Sequence, residues 1–290
     1  MSAAAQLRDL LASPGIIPMP GVFDALSTRL AERAGFKAAF MSGFMVSAAR
    51  IGMPDTGLIS YNEMLDQGRN ICSSVSFPVI GDGDTGWGNA INIKRTVTGY
   101  AQAGFACIML EDQVSPKRCG HTQGKRVVPR AEAYTRIRAA VDAREEGADI
   151  LIMARTDANA TDGMDEAVER CREFRRLGAD ITFLEAPTDK DEMKRYCDEV
   201  DGPKMANMVE QGATPFLTPA QLEEIGYKIA IWPAALMTAA IYGMENELAR
   251  LGRGEVGEDG KVTFPQLQDI VGFPEYDAAA EKYADAGEET

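Results

Sequence analysis

Short apolar segments rich in β-branched residues alternate with longer amphipathic segments along almost the whole chain. The short segments predict eight β-strands, over residues 15–19, 38–42, 79–82, 106–111, 150–155, 181–185, 204–207 and 229–232. The longer segments predict eight helices, over residues 24–34, 62–73, 90–103, 131–146, 164–177, 190–200, 219–225 and 234–251. Eight successive strand–helix units in 290 residues favour an α/β fold of the closed (β/α)8 barrel type.

An open, doubly wound parallel sheet is the alternative fold for this alternation. It is less favoured because no GxGxxG motif opens a helix after the first strand. No linker-like segment divides the sequence, so we expect one barrel domain over residues 1–290, with residues 252–290 as a C-terminal helical extension whose last helix covers residues 276–286. The first residues lack a basic region and a long apolar core, so they predict an amphipathic N-terminal helix rather than a secretory signal.

The composition narrows the classes of partner. A net charge of −14 argues against binding to nucleic acid or to an anionic membrane surface. No run of eighteen apolar residues is present, which argues against a membrane span. The five cysteines form no CxxC pair, so we expect a reduced, cytoplasmic protein without a structural zinc site.

Polar residues occupy the C-terminal ends of most predicted strands. They are Ser42, Asp82 with Asp84, Glu111, Arg155 with Asp157, Glu185, and Asn207. In a (β/α)8 barrel these ends converge on the face where active sites are built. Any one of these residues suits a cap or a turn, but their recurrence at successive strands predicts a catalytic face.

The run GDGDTGWGN contains the predicted metal site. Asp82 and Asp84, separated by one glycine, offer the oxygen ligands that Mg²⁺ prefers, with Mn²⁺ as the expected substitute. A solvated acidic turn is the alternative interpretation. Asp55 and Glu111 are candidates to orient metal-bound water, as is Glu185.

A second candidate feature is the segment SPKRCGHTQGKRV, residues 115–127, which we call the cysteine loop. It carries Cys119, the only histidine of the chain, His121, and four cations: Lys117, Arg118, Lys125 and Arg126. A thiol among cations exchanges protons more readily near neutral pH, and the loop's glycines permit closure over a ligand. The alternative is an ordinary basic surface loop with an incidental cysteine.

The motifs MSGF, PDTG, GDGDTGWGN, LEDQVSPKRCGH, ARTDA, FLEAP and MANMVEQGATP follow one another from Met41 to Pro215. Together they resemble the isocitrate lyase/phosphoenolpyruvate mutase superfamily. The resemblance implies a (β/α)8 barrel that binds Mg²⁺ and a 2-oxo acid. It also implies a homotetramer in which the last helix is exchanged between subunits.

The KRCGH motif resembles the lyase branch of this superfamily. The resemblance implies that Cys119 is the general acid and that Asp82 and Asp84 hold the metal, Asp84 through water. It implies that Ser42 and Gly43 contact a substrate carboxylate. It also places Gly120, Arg155, Glu185 and Asn207 at the site, with His121 as a further catalytic candidate.

Two departures from the methylisocitrate lyase pattern bear on the substrate. Phe44 replaces the second glycine of an SGG motif, and Met237 stands where an arginine binds a further carboxylate. Losing a carboxylate partner and gaining apolar bulk disfavours a tricarboxylate. The pattern is closer to the group that cleaves 2,3-dimethylmalate and other alkylmalates, which includes the petal death protein, or to oxaloacetate acetylhydrolase.

The sequence therefore predicts a carbon–carbon lyase that splits a 2-hydroxy dicarboxylate into a 2-oxo acid, such as pyruvate, and a carboxylic acid. The alternatives are a methylisocitrate lyase and a hydrolase or decarboxylase of oxaloacetate. A barrel that binds a metabolite without catalysis is the alternative outside the enzymes.

Overall fold

The computed structural model describes residues 1–120, 122 and 124–284. It divides the chain into two compact units, Met1–Met237 and Thr238–Thr290. The first unit contains eight parallel strands: β1 (Ile17–Val22), β2 (Ala39–Met41), β3 (Val79–Asp82), β4 (Cys107–Glu111), β5 (Leu151–Thr156), β6 (Ile181–Leu184), β7 (Met205–Asn207) and β8 (Ile229–Trp232).

Helices follow the strands in the order that the periodicity predicts. In the first unit they are α1 (Ala3–Ala12), α2 (Ala25–Arg33), α3 (Gly43–Ile51), α4 (Tyr61–Ser73), α5 (Ala90–Ala103), α6 (Arg130–Glu145), α7 (Met164–Arg176), α8 (Lys190–Glu199) and α9 (Pro219–Ile225). Helix α10 (Ala235–Gly252) begins at the end of this unit, and α11 (Phe264–Val271) and α12 (Phe273–Ala284) follow in the second.

The strands run in sequence order around a nearly closed barrel. Strands β1 to β6 pair consecutively, β1 also pairs with β8, and β8 pairs with β7, all in parallel. A parallel bridge between Thr182 and Lys204 joins β6 to the residue before β7. Sequential order with closure excludes the doubly wound alternative and confirms the predicted barrel.

Local signals in the sequence explain where the helices begin and end. Helix α4 starts in a capping box between Ser60 and Glu63, and α9 starts in one between Thr218 and Gln221. Helix α5 ends at Gly104, whose φ of 96° lies in the left-handed region that a side chain disfavours. These local signals fix the residues at which the helices begin and end.

The barrel interior is filled by apolar side chains that point inward from successive strands. Phe40, Ile80, Met109 and Met153 belong to one buried cluster that also contains residues at the N-terminal ends of strands, such as Ala38 and Ala106. Two side chains of α1 join this cluster, and these are Ala4 and Leu7, 1% and 0% exposed. Helix α1 therefore covers the N-terminal end of the barrel and leaves the other end for chemistry.

The structure differs from the prediction in two of the described helices and at the edges of several elements. Strand β1 covers Ile17–Val22 rather than residues 15–19, and residues 43–51 and 264–271, where no helix is predicted, form α3 and α11. The side chain of Ser42, the residue before α3, makes no capping hydrogen bond, so the usual start signal is missing. Among the described residues, no helix is long and apolar enough to span a bilayer.

Candidate active site

A cavity opens at the C-terminal end of the barrel, between the ends of strands β2 to β8 and the loops that follow them. The structure brings together here nine of the residues selected from the sequence: Ser42, Phe44, Asp55, Asp82, Cys119, Gly120, Arg155, Glu185 and Asn207. The remainder of the lining is Phe40, Met109, Lys117, Arg118, Phe183, Val209, Ile231, Pro233 and Ala234.

The lining divides by chemistry into an ionic part and an apolar part. The ionic part includes three cations, Lys117, Arg118 and Arg155. The apolar part comes mainly from aromatic and aliphatic side chains, namely Phe40, Phe44, Met109, Phe183, Val209, Ile231, Pro233 and Ala234. Three carboxylates, Asp55, Asp82 and Glu185, accompany these cations, so a ligand that fits both parts carries charged or polar groups and an apolar surface.

Asp82 and Asp84 lie together in the turn after β3. Both are buried, and the Asp82 oxygens accept hydrogen bonds from the backbone amides of Gly43 (3.1 Å) and Asp84 (3.0 Å). The Gly43 amide belongs to the first turn of α3, so the positive end of that helix faces the carboxylate. Asp84 takes a φ of 45°, an uncommon conformation that the surrounding turn must hold. Burial, and the neighbouring carboxylates, raise the pKa of both groups.

Lys117 of the cysteine loop reaches into this acidic group. Its Nζ lies 2.5 Å from Asp55 Oδ1 and 2.8 Å from Asp84 Oδ1, and all three side chains are buried. Burial alone would lower the pKa of Lys117, but Asp84, Glu111, Asp82 and Asp55 raise it well above its ordinary value. Lys117 is therefore a firmly charged cation among carboxylates.

The acidic group suits a hard divalent cation that keeps part of its water. Among the described residues, no set of three or more Asp, Glu, His or Cys side chains is arranged to hold a metal ion alone. Mg²⁺ needs only one or two carboxylates when water and substrate oxygens complete its shell. Asp82 and Asp84 supply these oxygens, and nearby Glu111 keeps a buried Oε1 that no described group hydrogen-bonds. The residues present fit Mg²⁺.

Arg155, at the end of β5, is the central cation of the cavity. Its guanidinium contacts three carboxylates, Asp157 at 2.8 Å, Glu185 at 3.2 Å and Glu111 at 3.5 Å. It also lies over the ring of Phe183, 5.3 Å from the centroid. Burial opposes its charge, but these carboxylates raise the pKa of Arg155 well above its ordinary value. Its planar donors are thus held in a fixed orientation.

The cysteine loop delivers Cys119 and Gly120 to the cavity. Gly120 is buried, and a Cβ on it would lie 2.5 Å from Glu185 Oε2 and also collide with the Arg155 guanidinium. This close approach requires a glycine. His121, a predicted catalytic residue of the same loop, lies outside the described residues.

Glu185 and Asn207 join the ends of β6 and β7. The Asn207 amide nitrogen lies 3.3 Å from each oxygen of Glu185. Both side chains line the cavity, where a bound ligand would contact them. They can orient a carboxylate or water by hydrogen bonding.

Some predicted residues lie beside the cavity rather than in its lining. Gly43 donates a hydrogen bond to Asp82, and Asp84 pairs with Lys117. Glu111 lies 3.5 Å from the Arg155 guanidinium. Met237 is 8% exposed and does not line the cavity. From the same segment after β8, Pro233 and Ala234 line it instead. The predicted role of Met237 at the substrate stays a prediction.

Sequence reasoning missed the individual roles of two loop lysines. The sequence presents Lys117 and Lys125 only as two of the loop's four cations, whereas the structure buries both and pairs them with carboxylates. The apolar wall, apart from Phe44, was also missed. No local signal distinguishes a buried lysine from an exposed one in KRCGHTQGKR, because the partners lie far away in the sequence.

Comparison with known proteins gives the chain a clear set of relatives. The family model described as phosphoenolpyruvate phosphomutase matches residues 7–251. The 2,3-dimethylmalate lyase of Eubacterium barkeri is 42% identical over 287 residues, which cover 98% of this chain and 99% of that protein. The 2-methylisocitrate lyase of Aeropyrum pernix is 40% identical over 274 residues, 93% of this chain and 88% of that protein.

Solved structures agree with these relatives. Oxaloacetate acetylhydrolase bound to 3,3-difluorooxalacetate superposes with a TM-score of 0.93 at 37% identity, covering 99% of this chain and 97% of that one. A phosphonopyruvate hydrolase complex with oxalate and Mg²⁺ superposes with a TM-score of 0.86 at 29% identity, covering 98% and 99%. The relatives confirm the predicted class of enzyme, a lyase. The chain belongs to the phosphoenolpyruvate mutase/isocitrate lyase superfamily.

Proposed function

We propose that this chain is a Mg²⁺-dependent lyase that cleaves the C2–C3 bond of an alkyl-substituted malate, of the 2,3-dimethylmalate type. The products are a 2-oxo acid such as pyruvate and a carboxylic acid. The observation that carries the proposal is one cavity lined by Asp82 of the buried acidic pair, a fixed arginine, a thiol and an apolar wall. The 42% identity to 2,3-dimethylmalate lyase over nearly the whole chain supports the same substrate class.

Asp82 and Asp84 are the proposed holders of the metal, with Asp55 and Glu111 as partners of its water. A bound Mg²⁺ supplies Lewis acidity, which makes the 2-hydroxyl of the substrate more acidic and stabilises the 2-oxo acid. The complex of phosphonopyruvate hydrolase with Mg²⁺ supports this choice of ion. Mn²⁺ is expected to substitute, since it accepts the same oxygen donors.

The chain's own residues bind the acid and handle the proton. A base takes the proton of the 2-hydroxyl, the oxygen forms the C2 carbonyl of the 2-oxo acid as the C2–C3 bond breaks, and the electron pair of that bond passes to C3 and the adjoining carboxylate. Arg155 and Lys117 stabilise the negative charge that develops there, since both are fixed cations of the cavity. The Cys119 thiol then gives its proton to C3, which yields the neutral carbon of the product acid.

The remaining contacts orient the substrate. Ser42 and the backbone amide of Gly43 are proposed to meet its carboxylate end, and Gly120, Asn207 and Glu185 to meet its polar groups from the other strand ends. The apolar wall, with Phe44 at its edge, receives the alkyl groups. His121 is retained as a further catalytic candidate, and Met237 as a residue that limits substrate size.

The apolar wall separates this proposal from its nearest alternatives. A methylisocitrate lyase needs a partner for a third carboxylate, and the segment after β8 offers Pro233 and Ala234 to the cavity instead. Oxaloacetate carries no alkyl group for the wall to bind, although oxaloacetate acetylhydrolase is a close structural relative. A wall of this kind favours an alkylated dicarboxylate.

We further propose a homotetramer, with the C-terminal helices exchanged between subunits, in the cytoplasm. Support for the assembly comes from the apolar side chains that the second unit exposes, including Tyr242, Leu248 and Phe264 at 71%, 67% and 70% exposure. Support for the compartment comes from Cys72, Cys107, Cys171 and Cys197, which form no disulfide in the described part of the chain.

A substrate panel tests the proposed function. The enzyme is assayed with Mg²⁺ against 2,3-dimethylmalate, other alkylmalates, methylisocitrate and oxaloacetate, following pyruvate, oxalate and CO₂. We expect the highest kcat/KM with an alkylmalate and no turnover after EDTA treatment. Preference for methylisocitrate or oxaloacetate would replace the proposed substrate. No turnover with any of the four, together with tight binding of a 2-oxo acid, would make the chain a binding protein.

A further inference from the structure

Two lysines of the cysteine loop are buried, one on each side of Cys119. Lys117 is 5% exposed and Lys125 is 9% exposed, whereas their neighbours Arg118 and Arg126 are exposed. Lysine is rarely buried unless a carboxylate compensates its charge. Lys117 belongs to the acidic group already described. Lys125 has no part in the reaction proposed above, and its burial needs another explanation.

Lys125 joins the loop to the barrel at two points. Its Nζ donates a hydrogen bond to the backbone carbonyl of Gly120, the residue after Cys119. The same Nζ donates a second hydrogen bond to Asp157 Oδ1, at 2.8 Å. Asp157 follows β5, so one ammonium group connects the backbone beside the thiol to the end of a strand.

Asp157 is a rigid anchor for this contact. It is 0% exposed, and its oxygens also accept hydrogen bonds from Arg155 Nε (2.8 Å) and Nη2 (3.1 Å). Its backbone amide donates to Asp112 Oδ1 at 3.0 Å, and Asp112 is held in turn by Thr156 at 2.6 Å and by Arg170 at 2.9 Å. A satisfied buried network of this kind fixes the side chains that it contains.

We propose that Lys125 is a positioning residue that holds Cys119 in the cavity, through the Gly120 carbonyl and Asp157. The proposal rests on the role of Cys119 as proton donor in the proposed function. Without Lys125, both the carbonyl and Asp157 lose a charged donor, and the loop leaves its present position more often. Arg155 and Asp157 keep their mutual contacts, so the main effect is on the loop and its thiol.

Alkylation of Cys119 tests the position of the thiol without any substrate. Lys125→Met is treated with iodoacetamide and, separately, with a bulky maleimide, and modification of the Cys119 peptide is followed by mass spectrometry. The ratio of the two rates reports access, because both reagents react with the thiolate and a change in its ionisation cancels. We expect the maleimide-to-iodoacetamide ratio to rise about fivefold or more, since the loop opens more often.

Lys204→Met is the matched control. Lys204 is another buried lysine, 6% exposed, that donates to a backbone carbonyl, that of Gly202 at 2.8 Å. It precedes β7 at the opposite end of the barrel, away from the loop. We expect its alkylation ratio to equal that of the wild type. An equal rise in Lys204→Met would show general loosening of the fold and would overturn the proposal.

Kinetics and a conservative variant complete the test. In Lys125→Met we expect kcat to fall about 10- to 100-fold with a smaller rise in KM, because the proton donor is misplaced while the side chains at the strand ends keep their contacts. Lys125→Arg keeps the charge and the reach, so it should recover most of both properties. An unchanged alkylation ratio in Lys125→Met contradicts the proposal whatever the activity. Absence of turnover by the wild type would contradict the proposed function alone, since the alkylation result stands without it.

Discussion

At the scale of single residues, the cavity depends on close approaches that tolerate little change. The backbone of Gly120 lies against the Arg155–Glu185 ion pair, so that the neighbouring thiol faces the cavity. Asp82 receives two backbone amides, which hold its carboxylate at the end of β3. Each residue is therefore defined by contacts with elements distant in the sequence.

Cys119→Ser tests the general-acid role. A hydroxyl is a far weaker acid than a thiol, so we expect kcat to fall about 10²- to 10⁴-fold while ligand binding survives. Turnover is measured with the best substrate of the panel, and binding of oxalate is measured by calorimetry. Cys197→Ser is the control, since that thiol lies on α8 and burial raises its pKa to about 12. Near-normal turnover in Cys119→Ser would exclude the thiol as proton donor.

Gly120→Ala tests the close approach of the loop. The added methyl group would meet Glu185 Oε2 at 2.5 Å, so the loop must withdraw, and we expect kcat to fall about 100-fold. Unfolding in urea should change by less than about 1 kcal/mol, because the loop is not part of the core. Gly243→Ala is the control, since no atom lies within 4 Å of its added Cβ. Full activity in Gly120→Ala would show that the loop does not pack here during catalysis.

Asp84→Asn tests the metal site by a binding readout. Loss of one carboxylate should weaken Mn²⁺ binding about 10- to 100-fold, measured by electron paramagnetic resonance of the free ion. The exposed Asp149, which pairs with Arg8 at 3.6 Å, provides the control Asp149→Asn. Equal Mn²⁺ affinity in Asp84→Asn and wild type would remove Asp84 from the metal site.

At the scale of elements, an ion pair joins the N-terminal turns of the neighbouring helices α6 and α7. Glu166 on α7 accepts hydrogen bonds from Arg130, at the start of α6, and from Arg170 at 2.7 Å. Arg170 also donates a hydrogen bond to Asp112, a buried residue that accepts another from the backbone amide of Asp157. The surface pair between two helices is thereby connected to the anchor of the cysteine loop.

Glu166→Gln tests this connection through the pH dependence of stability. The hydrogen bonds from Arg130 lower the pKa of Glu166 from 4.5 to about 2, burial opposes the shift, and Arg170 adds to it. A depressed pKa stabilises the folded state above pH 4.5, and this stability is lost as the pH falls towards 2. Because solvent screens part of the effect, we expect Glu166→Gln to be less stable by about 1–2 kcal/mol at pH 7.

Urea unfolding at several pH values from 7 to 3 measures this difference. The gap between Glu166→Gln and wild type should shrink steadily below pH 4.5. Glu169→Gln on the same helix is the control, since its pairing with Arg172 is long, at 3.8 Å, and half-exposed. A gap that does not change with pH would mean that the glutamate acts through packing and not through its charge.

At the scale of the whole molecule, the second unit exposes a stripe of apolar side chains along one face of helix α11. Phe264, Leu267 and Val271 recur at helical spacing on α11 and are 70%, 39% and 44% exposed. Exposed stripes of this size mark interaction surfaces. They agree with the proposed exchange of C-terminal helices in a tetramer.

Leu267→Asp with Val271→Asp tests the assembly. Two charges in an apolar contact should dissociate the tetramer into smaller species, which sedimentation velocity detects at micromolar protein concentration. Asp269→Lys changes charge away from the stripe on the same helix and should leave the assembly unchanged. A tetramer that persists in the double variant would place the interface elsewhere.

The barrel and half of the residues that line the cavity follow from the sequence alone. Periodicity is a local property, and it predicted every strand and the alternation of strands with helices, although it missed α3 and α11. Polar residues at strand ends predicted the catalytic face, because a closed parallel barrel brings those ends together. The family motifs then predicted a lyase, as the relatives confirm.

Only the tertiary structure decided which of these residues contact one another, and which of them are buried and paired with an opposite charge. Helix α3 forms although its start signal is missing, and this directs an amide to Asp82. Lys117 and Lys125 are equivalent by sequence to exposed loop cations, but packing buries them against carboxylates distant in the chain. Periodicity depends on near neighbours in the chain, so the sequence alone determines the strands and most of the helices. Burial and ion pairing depend on contacts between segments far apart in the chain, so only the tertiary structure determines them.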